Sequence, residues 1–360
     1  MHSSRKIGIV TWDYDPPKGG LGRALQQIAD TLGKQNHDVR VLSPSGGTDK
    51  EGAWTKRIGL HPAFSVLLLA KLQRWIHKTE RDLLLFPCGP GGVWLLRKPK
   101  HCKTIAIVYH TYLQQARLVP GQWWKRIFIP FERASLSRAD HIFCYAEDTR
   151  RVLEEEYGCN PASIHFLPQV IDLDPWLEFD GAKEPGLCVC VARLEQRKGI
   201  HFLADLWPCI KEQCPHATLL VVGDGVQAGL IDSLVAKESL SVKRISSLDQ
   251  RDLIETVHRA ELVLCPSYVE GFGLVALEAI AAGTIVIANE VDGLRSLVRQ
   301  GQTGVCVPVG DSAAWVRAIA DKLHNYEENK EMVSVAREDA RIRFDYEKSI
   351  RALQKCVEAI

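Results

Sequence analysis

Short, unbroken apolar runs recur along the chain, each followed by a glycine-rich or polar break and then a longer segment with apolar positions at helical spacing. Lys6-Ile7-Gly8-Ile9-Val10 is the first run, and a helix carrying Leu25, Ile28, Ala29 and Leu32 follows its break. His37–Leu42, Leu83–Phe86, Thr104–Tyr109, Ala139–Tyr145 and Ser163–Pro168 repeat the theme, with Ser65–Ile76 and Glu147–Tyr157 as helices between them. The stretch 172–186, with Pro175, Gly181, Pro185 and Gly186, loses periodicity and predicts a linker. The rhythm then restarts with Leu187–Ala192, Ala217–Val222, Lys243–Leu248, Leu262–Cys265 and Thr284–Ala288 as strands. Runs without polar alternation are the mark of strands covered on both faces, so the pattern predicts two parallel sheets flanked by helices. The expected boundaries are a first Rossmann-like domain over 1–171, the linker, a second over 187–343, and a helix over 344–360 returning to the first.

Composition narrows this picture. At 360 residues, 46% hydrophobic and 25% charged, the chain is an ordinary globular one with room for two cores. A formal net charge of +1 argues against nucleic acid as the main partner. The charge is uneven, however: Arg97–Arg138 holds nine Lys or Arg against one acid, Glu132. Within it, Gln122–Arg133 mixes Trp123, Trp124, Phe128 and Phe131 with Lys125, Arg126 and Arg133, which reads either as a surface-seeking amphipathic segment or as a helix covering the sheet. The eleven cysteines form no Cys-x-x-Cys pair, and Met1–Lys6 runs into a strand without an apolar leader, so reduced thiols in the cytoplasm are expected. No apolar run reaches the roughly 18 residues of a membrane span.

The chemistry concentrates at Ser267–Ala279. A buried strand ends at Pro266, Glu270-Gly271-Phe272-Gly273 forms a loop, and Leu274 begins a helix that Gly283 ends. Such a junction offers free N–H groups to an anion or a hydroxyl. Glu278 lies one turn into the helix with its side chain tilted back toward the loop, among apolar neighbours where a carboxylate needs a partner. A second loop, Arg193–Gly199, follows the strand 187–192 and carries Arg193 and Lys198. Near the N-terminus Gly19-Gly20-Leu21-Gly22 follows the first strand, but it is not G-x-G-x-x-G and no acid follows Val41 to hold a ribose, which weighs against a dehydrogenase. His110 ends the strand 104–109, where ligands of parallel sheets bind.

Two Glu residues separated by seven others in Glu-Gly-Phe-Gly context, with Arg193, Lys198, the glycine turn Gly223-Asp224-Gly225 and the closing Thr303–Pro308 stretch, resemble glycosyltransferase family 4. The resemblance is most specific over 193–308 and departs from the usual pattern at Gln169, Ser246 and Ser296. It implies a GT-B fold, two Rossmann-like domains facing across a cleft, and a retaining, metal-independent transfer of a hexosyl group from a nucleotide sugar. It further implies that Gly19, Gly20, Gly22, Arg193, Lys198 and the helix from Leu274 support the leaving diphosphate. Glu270 with the Gly271, Phe272 and Gly273 amides would orient the sugar, Glu278 would take the ribose, and His110 would lie beside the reacting sugar. No metal and no separate cofactor are expected, the nucleotide sugar being substrate. The acceptor is expected to be a saccharide or a lipid-linked glycan, with reversible contact at an anionic cytoplasmic membrane face. Two rivals share the donor site: a GT-B nucleotide-sugar epimerase and a catalytically silent binding protein.

Overall fold

The computed structural model describes residues 4–15, 20–44, 46–51, 53, 61–167, 169–179 and 181–358. Seven strands build the first sheet: β1 (Lys6–Val10), β2 (Asp38–Ser43), β3 (Asp49–Lys50), β4 (Leu83–Pro87), β5 (Lys103–Val108), β6 (His141–Cys144) and β7 (Ile164–Phe166). They lie in the order β3-β2-β1-β4-β5-β6-β7, every pair parallel. Ile7 stands opposite Val39 on one side and Leu83 on the other, so the strand order reverses at β1. All five residues of β4 are buried, as an unbroken apolar run requires.

Six strands build the second sheet: β8 (Leu187–Val191), β9 (Thr218–Val222), β10 (Val242–Ile245), β11 (Leu262–Cys265), β12 (Ile285–Asn289) and β13 (Val305–Val307). Their order is β10-β9-β8-β11-β12-β13, again parallel throughout, and here the reversal falls between β8 and β11. Each sheet is therefore doubly wound, with a topological switch point at which the loops after two neighbouring strands diverge and leave a crevice.

The chain divides into two units, one of Met1–Arg117, Gly121–Ile171 and Tyr346–Ile360, the other of Leu118–Pro120 and Asp172–Asp345. The last helix, Tyr346–Glu358, belongs to the first unit, where Leu353 and Val357 are fully buried in the cluster that holds Ile7, Ile9 and Leu25. Each of these two side chains contributes about 2 kcal/mol by burial. The stretch 172–186, which its composition marks as a linker, opens the second unit. It contains the helix Asp174–Glu178, whose Trp176 is buried, and the second unit grips it with hydrogen bonds. His258 Nε2 meets the Trp176 carbonyl at 2.8 Å, Arg337 donates to Leu177 O, and Lys183 donates to Ala260 O and Thr284 Oγ1. Proline and glycine mark the ends of such a segment, but the isolated buried tryptophan gives no periodicity to detect.

All eleven cysteines, each a described residue, are free thiols, and burial pushes several up, Cys190 to about 12. Among the described residues no helix is long and apolar enough to cross a membrane.

Candidate active site

The second unit's switch point gathers most of the chemistry. The loop after β8 runs Ala192–Glu195 into a single 3-10 turn, Gln196–Lys198, closed by Gly199 in the left-handed region at φ 71°. A Cβ at Gly199 would stand 2.0 Å from the Pro266 carbonyl oxygen, so only glycine lets this turn lie against the loop after β11. The contact is sealed by the Tyr268 N–H, which donates to Arg197 O at 2.9 Å, and by Arg197 Nη1, which donates to Val269 O at 3.2 Å. From the other side the buried Asn289, last residue of β12, donates to Pro266 O at 2.8 Å and is itself oriented by the Trp315 indole N–H at 2.9 Å. Gly293 completes the packing, since a Cβ there would meet Glu270 O at 2.2 Å.

This seam brings Lys198 and Glu270 together across 72 residues of sequence, with Nζ 2.5 Å from Oε2 and both side chains less than a fifth exposed. Burial is the largest influence on Glu270 and pushes its carboxyl up, but the charges of Lys198 and Arg197 and a hydrogen bond from Ser267 outweigh it, so the group sits below the ordinary range and is ionised. Burial pulls the Lys198 ammonium down from its usual value. The pair is a fixed plus-minus site at the mouth of a parallel sheet, able to exchange its internal contact for an anion on the lysine and hydroxyls on the carboxylate.

Gly273 then caps the helix Leu274–Ala281, and the first N–H groups of a helix have no partner within it. Glu278 is buried on this helix. The Phe272 ring is buried and packs edge-on against Phe344 at 5.7 Å, which leaves its main chain rather than its side chain for a ligand. Arg193 is half exposed and turned toward Glu195 at 3.2 Å, so it stands beside the Lys198–Glu270 pair in sequence without belonging to it.

Sequence reasoning missed Arg197 and Glu195. Arg197, its side chain 11% exposed, donates to Glu195 Oε1 at 2.8 Å and stitches the two loops together. In the run Arg-Leu-Glu-Gln-Arg-Lys nothing distinguishes the structural arginine from the exposed one, because the difference is made by Val269, far away in sequence.

In the first unit, Gly20 and Gly22 are not loop residues as expected: they lie in the first turn of the helix Gly20–Lys34, and Gly22 is buried. Gly19 lies outside the described residues. His110 follows β5, as the run Thr104–Tyr109 implied, and its Nε2 is 2.8 Å from the Gln115 amide nitrogen. Among the described residues no group of three or more His, Cys, Asp or Glu could hold a metal ion.

Comparison with known proteins gives two matching family descriptions, Glycosyltransferase Family 4 over residues 18–175 and Glycosyl transferases group 1 over residues 178–339. The glycogen synthase of Mycobacterium tuberculosis is 29% identical over 368 residues, covering 88% of this chain and 86% of its own. The phosphatidyl-myo-inositol mannosyltransferase of Mycobacterium leprae is 25% identical over 381 residues, covering 99% and 97%. Among solved structures, sucrose-phosphate synthase from Thermosynechococcus elongatus superposes with a TM-score of 0.81 at 21% identity, over 99% of this chain and 98% of the other. Anabaena HepE in complex with UDP gives 0.73 at 17% identity, over 99% and 100%.

Proposed function

The chain belongs to glycosyltransferase family 4, has the GT-B fold and is a glycosyltransferase, and from that premise we propose that it is a retaining, metal-independent hexosyltransferase fed by a nucleotide sugar. The observation that carries this reading is the Lys198–Glu270 pair at the second unit's switch point. As the bond between sugar and diphosphate breaks, negative charge gathers on the leaving oxygen. Lys198, Arg193 and the N-terminus of the helix from Leu274 are the fixed positive groups that stabilise it, and preorganised charge is worth most where charge develops. Drawn to the diphosphate, Lys198 releases Glu270 to accept from the sugar's hydroxyls. Glu278 accepts from the ribose, and His110 contributes a contact to the sugar. The acceptor hydroxyl attacks on the face the diphosphate leaves, and a diphosphate oxygen takes its proton, so configuration is retained. The names of the glycogen synthase and mannosyltransferase relatives support sugar transfer, and the UDP and UDP-glucose held by HepE support a nucleotide-sugar donor.

Thermal melting in a chelator tests the donor half of this reading. A nucleoside diphosphate at about 100 times its dissociation constant stabilises the fold by about 2.7 kcal/mol. Glu278→Ala is expected to weaken nucleotide affinity while Glu270→Ala mainly lowers turnover. A flat response to every nucleoside diphosphate, or equal affinity in Glu278→Ala, would overturn it.

For the acceptor, the surface of the first unit favours a lipid-linked molecule. Trp123, 70% exposed, Ile127, 62% exposed, and Trp124 project from the 3-10 helix Trp123–Phe128, which supports the surface-seeking reading of this segment. Phe131 stacks on Trp94 and Phe128 packs tilted against it, and the Trp94 backbone N–H donates to Ser65 on the helix that exposes Val66 and Leu69. Arg126 is exposed beside them, and the stretch's single acid, Glu132, is fully buried, so this surface presents positive charge. Tryptophan at headgroup level and about 1 kcal/mol per nearby basic residue would hold the protein at an anionic cytoplasmic membrane face, as suits an acceptor like that in the mannosyltransferase's name. Vesicle co-sedimentation should require anionic lipid, weaken with salt and fall when Trp123, Trp124 and Arg126 are replaced. No binding to anionic vesicles at low salt would favour a soluble saccharide.

A further inference from the structure

Gln115 lies on the helix Tyr112–Leu118 and is buried, an uncommon place for a glutamine whose side chain has both a donor and an acceptor end. One end of its amide faces Lys125 Nζ and the other faces His110 Nε2 at 2.8 Å. The lysine fixes the amide's orientation, because an ammonium has three donors and no acceptor. The atom it meets must be the carbonyl oxygen, so the nitrogen turned to His110 is the NH2 group. That group only donates. His110 Nε2 must then accept, which means it carries no proton, and the neutral imidazole carries its proton on Nδ1.

We propose that Gln115 is a positioning residue that fixes His110 in the Nδ1–H form, with Lys125 as the anchor that keeps the amide from turning over. His110 follows β5, and with its Nε2 held by the Gln115 amide the fixed tautomer decides which ring nitrogen carries the proton. The lysine comes from the same short helix that exposes Trp123 and Trp124, which links the ring's state to the geometry of that surface segment. The consequence for turnover rests on the role proposed above for His110 at the donor sugar; the consequence for the ring does not.

Histidine-labelled protein read by two-bond proton–nitrogen correlation tests both parts, with the His110 signals assigned by their loss in His110→Gln. Wild type is expected to show the Nδ1–H pattern. In Gln115→Glu the carboxylate can only accept, so the proton is expected to move to Nε2 and the pattern to reverse. In Lys125→Met the amide loses its anchor and a mixture of both patterns is expected. With a nucleotide sugar and acceptor, Gln115→Glu should lower kcat at least tenfold while KM changes little. A wild-type Nε2–H pattern, or an unchanged pattern in Gln115→Glu, would overturn the proposal. A reversed pattern with unchanged kcat would overturn the positioning role. Should wild type transfer no sugar at all, the nitrogen spectra still decide the tautomer, so failure of the enzymatic reading is separable from failure of this one.

Discussion

Lys198→Ala is expected to lower turnover with the nucleotide sugar by about 10²–10³ and to cost the protein about 3 kcal/mol of stability. The two effects have one origin. Lys198 Nζ stands 2.5 Å from Glu270 Oε2 with both groups mostly buried, so removing the ammonium leaves a carboxylate in a site built for a pair. Breaking one side of a buried pair costs several kcal/mol because the remaining charge keeps its desolvation penalty. In the proposed reaction the same substitution takes the ammonium away from the oxygen on which the leaving group's charge would gather. Glu270→Gln breaks the pair from the other side: the ammonium stays for the diphosphate but loses its partner, so nucleotide affinity should be kept while turnover is lost and stability again falls. Steady-state rates at saturating donor, with melting measured on the same samples, check both. Wild-type turnover in a folded Lys198→Ala protein would remove Lys198 from the chemistry.

Raising the pH from 4.5 to 8 is expected to weaken the first unit through one carboxyl, Glu132. It is fully buried, accepts from the Tyr112 N–H at 3.0 Å and pairs with the Tyr157 hydroxyl. Burial pushes it up to about 8 against those hydrogen bonds, so it is mostly protonated at neutral pH. Because the folded value lies above the unfolded one, its contribution is fully present below about pH 4.5, declines as pH rises and is gone above about 8. The gap between 4.5 and about 8 corresponds to roughly 5 kcal/mol. Glu132→Gln, which cannot ionise, should lose this part of the decline. Denaturant melts of both proteins across that range check it, and parallel curves would show that Glu132 is already ionised in the fold.

The sheets were legible because buried parallel strands write themselves as unbroken apolar runs; β4 and β12 are buried at every position. The loops that matter were legible for a related reason, as glycines and charges interrupt those runs at the strand ends. Glu270 and Lys198 could be named one by one, yet nothing local says that they touch, because the contact is made by the close approach of Gly199 to Pro266. The Gln115–His110 contact was hidden for the opposite reason: a glutamine on a short helix carries no distinctive pattern until Lys125 is seen to orient it. Gly20 and Gly22 misled, since glycines after a first strand suggest a loop where the chain has already become helical. The tryptophan segment could not be decided from spacing, because an inward and an outward helix of that composition look alike on paper.

One assay bears most directly on the claim that the Lys198–Glu270 site moves a sugar from a nucleotide. Wild-type protein is incubated in chelator with a panel of nucleotide sugars and with saccharide or lipid-linked acceptors, and both nucleoside diphosphate release and the anomeric configuration of the product are measured. Release should depend on acceptor, the product should keep the donor's configuration, and Glu270→Gln should abolish both signals. Interconversion of the donor sugar without transfer, an inverted product, or transfer that survives in Glu270→Gln would contradict it.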